Sequence, residues 1–394
     1  MNNPFIVTGK IPPEYFCDRK EESRRIIDGV AGGDNICLLS PRRLGKSKLV
    51  RYCYDIPEIS QKYYTFYIDI LHTKSLQEFT FCFGQAVFTQ LRSQSRKMLD
   101  AFVRGLKSIN GKFGFDPVTS MPVFTLELGE IDKPEYTLTE IFASLENADR
   151  PCIVTFDEFQ QVGKYPEKNI EALLRSHIQH LSNVRFIFSG SEPHIVSQMF
   201  LSSSRPFYNS TSILELRPIK ASVYVPFVTG HFAEAGKKIR PEDVRRVYDL
   251  FEGNTYCIQK VFHEAFDAVP GGSECTLDIL RQTVDSILEE AGTGYRLMLS
   301  GIPTRQKELL YAIASEVEAE KITGVDFIRK YALVSSSAVQ TAAAKLRKME
   351  LITFNDGKYF IPDIMFRIYL QRLVNPAKVF LQTDGDAAVC KNRR

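Results

Sequence analysis

One octapeptide limits the fold more than any other stretch of this chain. Ser40-Pro41-Arg42-Arg43-Leu44-Gly45-Lys46-Ser47 follows the apolar run Ile36-Cys37-Leu38-Leu39 and leads into a helix-compatible segment, residues 48–54. It fits G-x-x-x-x-G-K-[ST] at every fixed position but the first, where Ser40 replaces Gly. A tight loop running from a strand into a helix brings convergent backbone N–H groups to the positive end of a helix dipole, which is what a polyphosphate requires. Gly45 lets the backbone approach closely, Lys46 is placed to reach β and γ phosphate oxygens as a point charge, and the Ser47 hydroxyl is placed to ligand Mg²⁺. Pro41, Arg42, Arg43, Leu44 and Lys48 complete the expected phosphate-binding stretch, Arg42 and Arg43 reading either as added charge or as solvent-facing residues.

A Gly-Lys-Ser can occur by chance in a surface loop, but a second motif lies downstream. Cys152-Ile153-Val154-Thr155-Phe156-Asp157-Glu158 is an apolar strand ending in two adjacent carboxylates. Asp157 suits Mg²⁺ and Glu158, on the opposite side of the chain, suits polarisation of an attacking water. Taken alone, the Asp-Glu pair reads equally as a helix cap; beside the octapeptide it reads as catalytic. A third apolar strand, Val184-Arg185-Phe186-Ile187-Phe188, ends in Ser189-Gly190-Ser191, where either serine can sense the γ-phosphate or water, or simply form a turn. Arg205 reads as a phosphate contact, in cis or across an oligomer interface, or as an ordinary surface arginine. Asp69 reads as a site residue or a loop cap, and His177 and His180 read as surface histidines for want of a third ligand at metal-binding spacing.

Strand-like and helix-like stretches alternate through the first half: a helix over 18–30 capped by Asp18 with Glu21 in a capping box, a strand over 63–71, a helix over 76–91, and a helix over 170–181. Residues 108–134 suit a hairpin or an irregular insertion. Strands recur at the pace of a parallel sheet covered on both faces. Beyond Arg217 the strand pattern fades into helices over 222–268 and 277–291. Three helical segments (304–317, 323–331, 335–349), then Leu351-Ile352-Thr353-Phe354, a turn at Asn355-Asp356-Gly357 and Tyr359-Phe360-Ile361, predict a winged helix. Within it Val339, Ala342, Ala343, Leu346 and Met349 form the apolar face, leaving Ser336, Ser337, Gln340, Thr341, Lys345 and Lys348 outward, where they suit either DNA or a partner domain.

Single cores stop growing at roughly 250–300 residues, so a chain of 394 predicts more than one domain. We expect an ATPase core over 1–216, a helical lid over 217–300, the winged helix over 301–373 and a flexible tail over 374–394. With 50 Lys and Arg against 47 Asp and Glu, the net charge of +3 gives no global argument for nucleic acid. A hydrophobic fraction of 44% with 25% charged residues excludes collagen-like and wholly disordered chains. The 8 cysteines contain no C-x-x-C pair and read as buried reduced thiols. The opening residues lack a secretory signal and no run reaches the ~18 apolar residues of a membrane span, so a cytoplasmic protein without membrane partners is expected.

Together these residues resemble the archaeal-type P-loop ATPases of the AAA+/STAND branch, which are related to the origin-recognition ATPases and common in archaea and Bacteroidetes. The resemblance runs over residues 3–370 and rests on Tyr15-Phe16-Cys17-Asp18-Arg19, the octapeptide, Phe156-Asp157-Glu158-Phe159-Gln160, Phe188-Ser189-Gly190-Ser191, Arg205-Pro206-Phe207-Tyr208 and Glu252-Gly253-Asn254-Thr255-Tyr256. It implies an α/β P-loop NTPase core, with an AAA+-like parallel sheet flanked by helices, a helical lid whose residues 253–259 lie near the nucleotide, and a C-terminal winged helix. Many relatives carry His where Asn254 stands. The activity expected is Mg²⁺-dependent ATP hydrolysis, either rapid or slow as in a switch, with ATP/ADP and Mg²⁺ as cofactors. Catalytic roles are expected for Glu158, Lys46, Ser189 and Arg205, and metal binding for Ser47 and Asp157. The alternatives are a nucleotide-gated regulator of double-stranded DNA and a switch acting on a protein partner or a second copy of itself.

Overall fold

Continuous apolar runs become strands covered on both faces, because a side chain on either side of such a strand must find a dry environment. The computed structural model describes residues 2–109, 113–115, 122–124, 131–375 and 381. Its first seven strands are β1 (Ile36–Leu39), β2 (Tyr64–Asp69), β3 (Phe113–Phe115), β4 (Pro122–Phe124), β5 (Cys152–Asp157), β6 (Val184–Gly190) and β7 (Ser212–Glu215). Five pair in parallel in the order β2-β5-β6-β1-β7, and β3 pairs antiparallel with β4 as a separate hairpin. The remainder of the 108–134 stretch, from 110–112, 116–121 and 125–130, lies outside the described residues.

β1 and β5 are buried along their whole length, while edge strand β7 buries Leu214 alone of its four residues. Register then decides where chemistry can gather. Leu39 pairs with Gly190, Asp157 with Ser189 and Asp69 with Asp157, so β1, β2, β5 and β6 finish level with one another. The loops leaving β1, β5 and β6 therefore start side by side, at the carboxyl edge where parallel sheets take their ligands. Behind them Phe188 is fully buried, with ring centroids 4.6 Å from Phe159, 5.1 Å from Phe200 and 5.4 Å from Phe207.

Residues Arg19–Arg217 form one compact unit and Met1–Asp18 with Pro218–Arg394 form another. The opening residues, expected with the ATPase core, belong to the second unit because Phe5 is fully buried there, 5.7 Å from Phe232 and 5.8 Å from Phe262. The expected Asp18 cap is also absent from the first helix, Lys20–Gly32. Asp18 and Arg19 both take left-handed backbone angles (φ 55° and 64°), and no side chain caps this helix. The buried Arg19 guanidinium instead donates to the carbonyls of Arg217 (2.7 Å) and Leu44 (3.3 Å).

In the second unit the helices are Ala221–Glu234, Pro241–Leu250, Thr255–Ala268 and Leu277–Ser300, the last extending beyond the expected 291. Thr304–Glu316, Val325–Lys330 and Ser336–Lys348 follow, with a three-stranded sheet in the order Glu318–Glu320, Lys358–Phe360, Thr353–Asn355. Asp356 (φ 49°) and Gly357 (φ 82°) make the two-residue hairpin loop of type I′, whose positive φ angles suit an Asp-Gly pair. Val339, Ala342, Ala343 and Leu346 are buried as the periodicity requires, but Met349 lies beyond the helix end and is 47% exposed. Arg367, buried on helix Ile364–Val374, pairs with Glu252 at 2.5 Å. Of the expected tail, Val374, Asn375 and Leu381 are described, and the rest lies outside the described residues.

Among the described residues no helix is long and apolar enough to cross a membrane. Burial pushes the thiols of Cys37, Cys53 and Cys152 up to about 12, which leaves them protonated and inert. Phe188→Ala removes the ring at the centre of the aromatic cluster. We expect a loss of about 3–5 kcal/mol, measured by urea unfolding.

Candidate active site

The loop after β1 turns through two left-handed residues, Arg43 (φ 69°) and Gly45 (φ 88°). Ser40 is outside the left-handed region, so its Cβ meets no backbone penalty and the missing first glycine costs the loop nothing there. Pro41, Arg42 and Arg43 are exposed, Leu44 is buried beneath the loop, and Gly45, Ser47 and Lys48 are half-buried. Gly45 is the N-cap of helix Lys46–Asp55, and no side chain caps this helix. The first N–H groups of any helix lack carbonyl partners within it, and its dipole places partial positive charge there.

Lys46 is buried, with Nζ 2.9 Å from Asp157 Oδ1 and 3.0 Å from Glu158 Oε1. On the same helix the Ser47 hydroxyl donates to Asp157 Oδ2 at 2.9 Å. The two carboxylates are then bonded further, Asp157 from the strands on either side and Glu158 from the segments that follow β5 and β6. Asp157 Oδ1 also accepts from the Ser189 hydroxyl at 2.5 Å, and Oδ2 accepts from the Tyr67 hydroxyl. Glu158 stands in left-handed backbone (φ 61°), and its Oε2 accepts from Gln160 Nε2 (2.6 Å), Ser191 N (3.1 Å) and the Ser191 hydroxyl (2.7 Å). A non-glycine residue in that region costs about 1 kcal/mol. Strain of this kind persists where surroundings over-determine a residue, as four donors do here.

Burial pushes both carboxyls up, but the Lys46 charge and the hydrogen bonds outweigh it and hold each below the usual carboxylate range. For Asp157 those bonds come from Ser189, Tyr67 and Lys46, and for Glu158 from Ser191, Gln160 and Lys46. Burial and the neighbouring Asp157 charge keep the Tyr67 phenol well above its ordinary value, so it remains a donor. The Arg51 guanidinium lies over the Tyr67 ring, 4.2 Å from its centroid.

Lys46, Ser47, Asp157, Glu158 and Ser189 are thus brought together, and Ser191, the alternative to Ser189, contacts the other carboxylate. Arg205 is outside this cluster: its guanidinium, 41% exposed, pairs with Glu171, whose carboxyl burial pushes above its usual range despite the arginine. Asp69 caps its own loop, accepting from Leu71 N at 3.0 Å. His177 stacks on Phe142 at 5.4 Å, and burial lowers its pKa. Sequence reasoning missed Tyr67, and it carried Gln160 only as the last residue of the Phe156–Gln160 motif, with no role of its own. Tyr67 was within reach of it: alternation along β2 puts Tyr67 on the face of Asp69, which pairs in register with Asp157. Gln160 had no periodic signal, since it belongs to the short 3₁₀ segment Phe159–Lys164.

The hard oxygen donors Ser47 and Asp157, adjacent beside the loop after β1, fit Mg²⁺, which takes one or two protein ligands and completes its shell with water and other oxygen donors. The family described as an ATPase domain predominantly from Archaea matches residues 16–261, and a probable winged helix domain matches 293–372. Among solved structures, a Walker-type ATPase of Pyrococcus abyssi is 20% identical with a TM-score of 0.64, over 93% of this chain and 99% of that one. The ORC2 protein of Aeropyrum pernix, in ADPNP–ADP complexes, is 12% identical with a TM-score of 0.58, over 95% of this chain and 98% of that one. Its ADP form is 13% identical with a TM-score of 0.54, over 94% and 98%. At these identities the likeness is one of fold. No curated protein matches the chain.

Carboxyls held below their ordinary range stabilise the folded chain fully above that range, and this stabilisation is lost as pH falls through their lowered values. Lys46→Met removes the charge that lowers them and keeps the burial that raises them. Acid unfolding, followed by circular dichroism from about pH 7 to about pH 2, is expected to begin at higher pH in the variant. Superimposable acid limbs would refute the electrostatic account.

Proposed function

Because the chain belongs to the family of ATPase domains found predominantly in Archaea, we propose that it hydrolyses ATP in a Mg²⁺-dependent cycle and serves as a nucleotide-driven switch of slow turnover. The observation that carries this reading is the single network joining Lys46 and Ser47 to Asp157 and Glu158. The triphosphate lies along residues 41–48, its charge met by backbone N–H groups and the helix N-terminus. Ser47 and Asp157 would hold Mg²⁺, which when bound would neutralise phosphate charge. Ser189 and Ser191, at the end of the adjacent strand, are in place to report on the γ-phosphate through the carboxylates they bond.

Glu158 is the base that takes a proton from the attacking water. With Lys46 and three donors on its carboxylate it is a weak base. When Lys46 moves onto phosphate oxygens, Glu158 loses its strongest cationic partner and its proton affinity rises. Nucleotide binding and activation of the base are thereby one event, which keeps the idle site quiet. Lys46→Ala is expected to lose binding of a fluorescent ATP analogue. Glu158→Gln is expected to keep that binding and lose phosphate release by about 10²–10⁴-fold; undiminished turnover in both would falsify the reading.

A second reading concerns the output. On helix Ser336–Lys348, Ser336, Ser337, Gln340, Thr341, Lys345 and Lys348 are exposed, as is Arg347. Together with the winged-helix match this favours double-stranded DNA as an effector over a protein partner or a second copy. Phosphate-driven binding to duplex DNA should weaken by about 10³-fold or more between ~50 and ~200 mM salt if six or more phosphates are contacted. Absence of binding across that range would leave the switch acting on protein.

A further inference from the structure

We infer that Tyr67 is a positioning residue for the metal-holding carboxylate: its hydroxyl fixes the plane of Asp157 so that Oδ2 faces the Ser47 hydroxyl. This rests on the reading of Asp157 and Ser47 as Mg²⁺ donors. Lys46 and Ser47 also bond this carboxylate, but in that reading both turn to phosphate and metal, and a carboxylate then held at one oxygen still rotates about its Cβ–Cγ bond. Ser189 anchors Oδ1 from β6, and Tyr67 supplies the second anchor from β2, on the other side of β5.

Tyr67 is itself held. It pairs with Thr155 across β2 and β5, and the Tyr54 hydroxyl bonds Thr155 Oγ1 at 2.5 Å from helix Lys46–Asp55. Arg51 of the same helix covers the Tyr67 ring. Ser47, Arg51 and Tyr54 thus form a polar seam over β2 and β5, and the phenol hydroxyl is the part of Tyr67 aimed at the acidic residue. Outer partners of metal ligands typically alter metal affinity by 10–100-fold when removed.

Tyr67→Phe keeps the ring beneath Arg51 and deletes the hydroxyl. The test titrates MgCl₂ into protein with a fluorescent ATP analogue and compares the Mg²⁺ midpoint of tight binding with the affinity in EDTA. Tyr67→Phe is expected to raise the midpoint by about 10-fold or more and to leave the EDTA affinity within about twofold, whereas a merely structural role would weaken both together. Asp157→Asn is run in parallel. A midpoint moved by Asp157→Asn but not by Tyr67→Phe overturns the role of Tyr67 alone. A midpoint moved by neither overturns the metal reading and Tyr67's role with it.

Discussion

A single ammonium group shared by two buried carboxylates is the constraint on which the rest of the site depends. Lys46 lies within 3.0 Å of both Asp157 and Glu158, and all three side chains are largely withdrawn from solvent. Charges taken out of water are costly, and a buried pair rarely stabilises a fold by much on balance. Its effect is to pin the start of helix Lys46–Asp55 to the end of β5, and Ser189 and Ser191 tie the end of β6 to the same carboxylates. Hydroxyls from Ser47, Tyr67, Ser189 and Ser191, with the Gln160 amide, take up the remaining lone pairs of the carboxylates.

The sheet makes that pinning reproducible. Parallel strands put every carboxyl end at one edge, and their register sets Asp157 opposite Ser189 on one side and Asp69 on the other. A rigid aromatic layer lies behind, with Phe156, Phe186 and Phe188 all fully buried. Close packing of this kind tolerates little displacement, so the polar groups in front of it inherit fixed positions. Arg19 adds a tie from outside the sheet by bonding the Leu44 carbonyl from beneath the loop.

Much of this was legible in the sequence because it depends on local pattern. The apolar runs ending in Ser40, Asp157 and Ser189 specify buried strands, and the polar residues at their ends mark where each strand gives way to a functional loop. The winged-helix hairpin was legible for a similar reason, since Asp356-Gly357 suits one turn type. The rest needed long-range geometry. Edge strand β7 has too few buried positions to show a pattern, and Glu318–Glu320 gains strand structure only by pairing with Lys358–Phe360. Asp18 had the residue type of a cap, but neighbouring Arg19 was drawn to carbonyls far along the chain and twisted the entry to the helix. Tyr67 looked like one more core aromatic until the register of β2 placed its hydroxyl beside Asp157.

The Arg367–Glu252 pair has a consequence for how the C-terminal half can evolve. Arg367 is buried on the last helix, Glu252 stands just before helix Thr255–Ala268, and a continuous hydrophobic core runs from Val244 through Leu310 to Tyr369. Exchanging the stretch that carries Glu252 for a foreign one would leave the buried Arg367 guanidinium without its counter-charge inside that packing. A replacement for either stretch has therefore to supply the partner charge or do without the buried guanidinium.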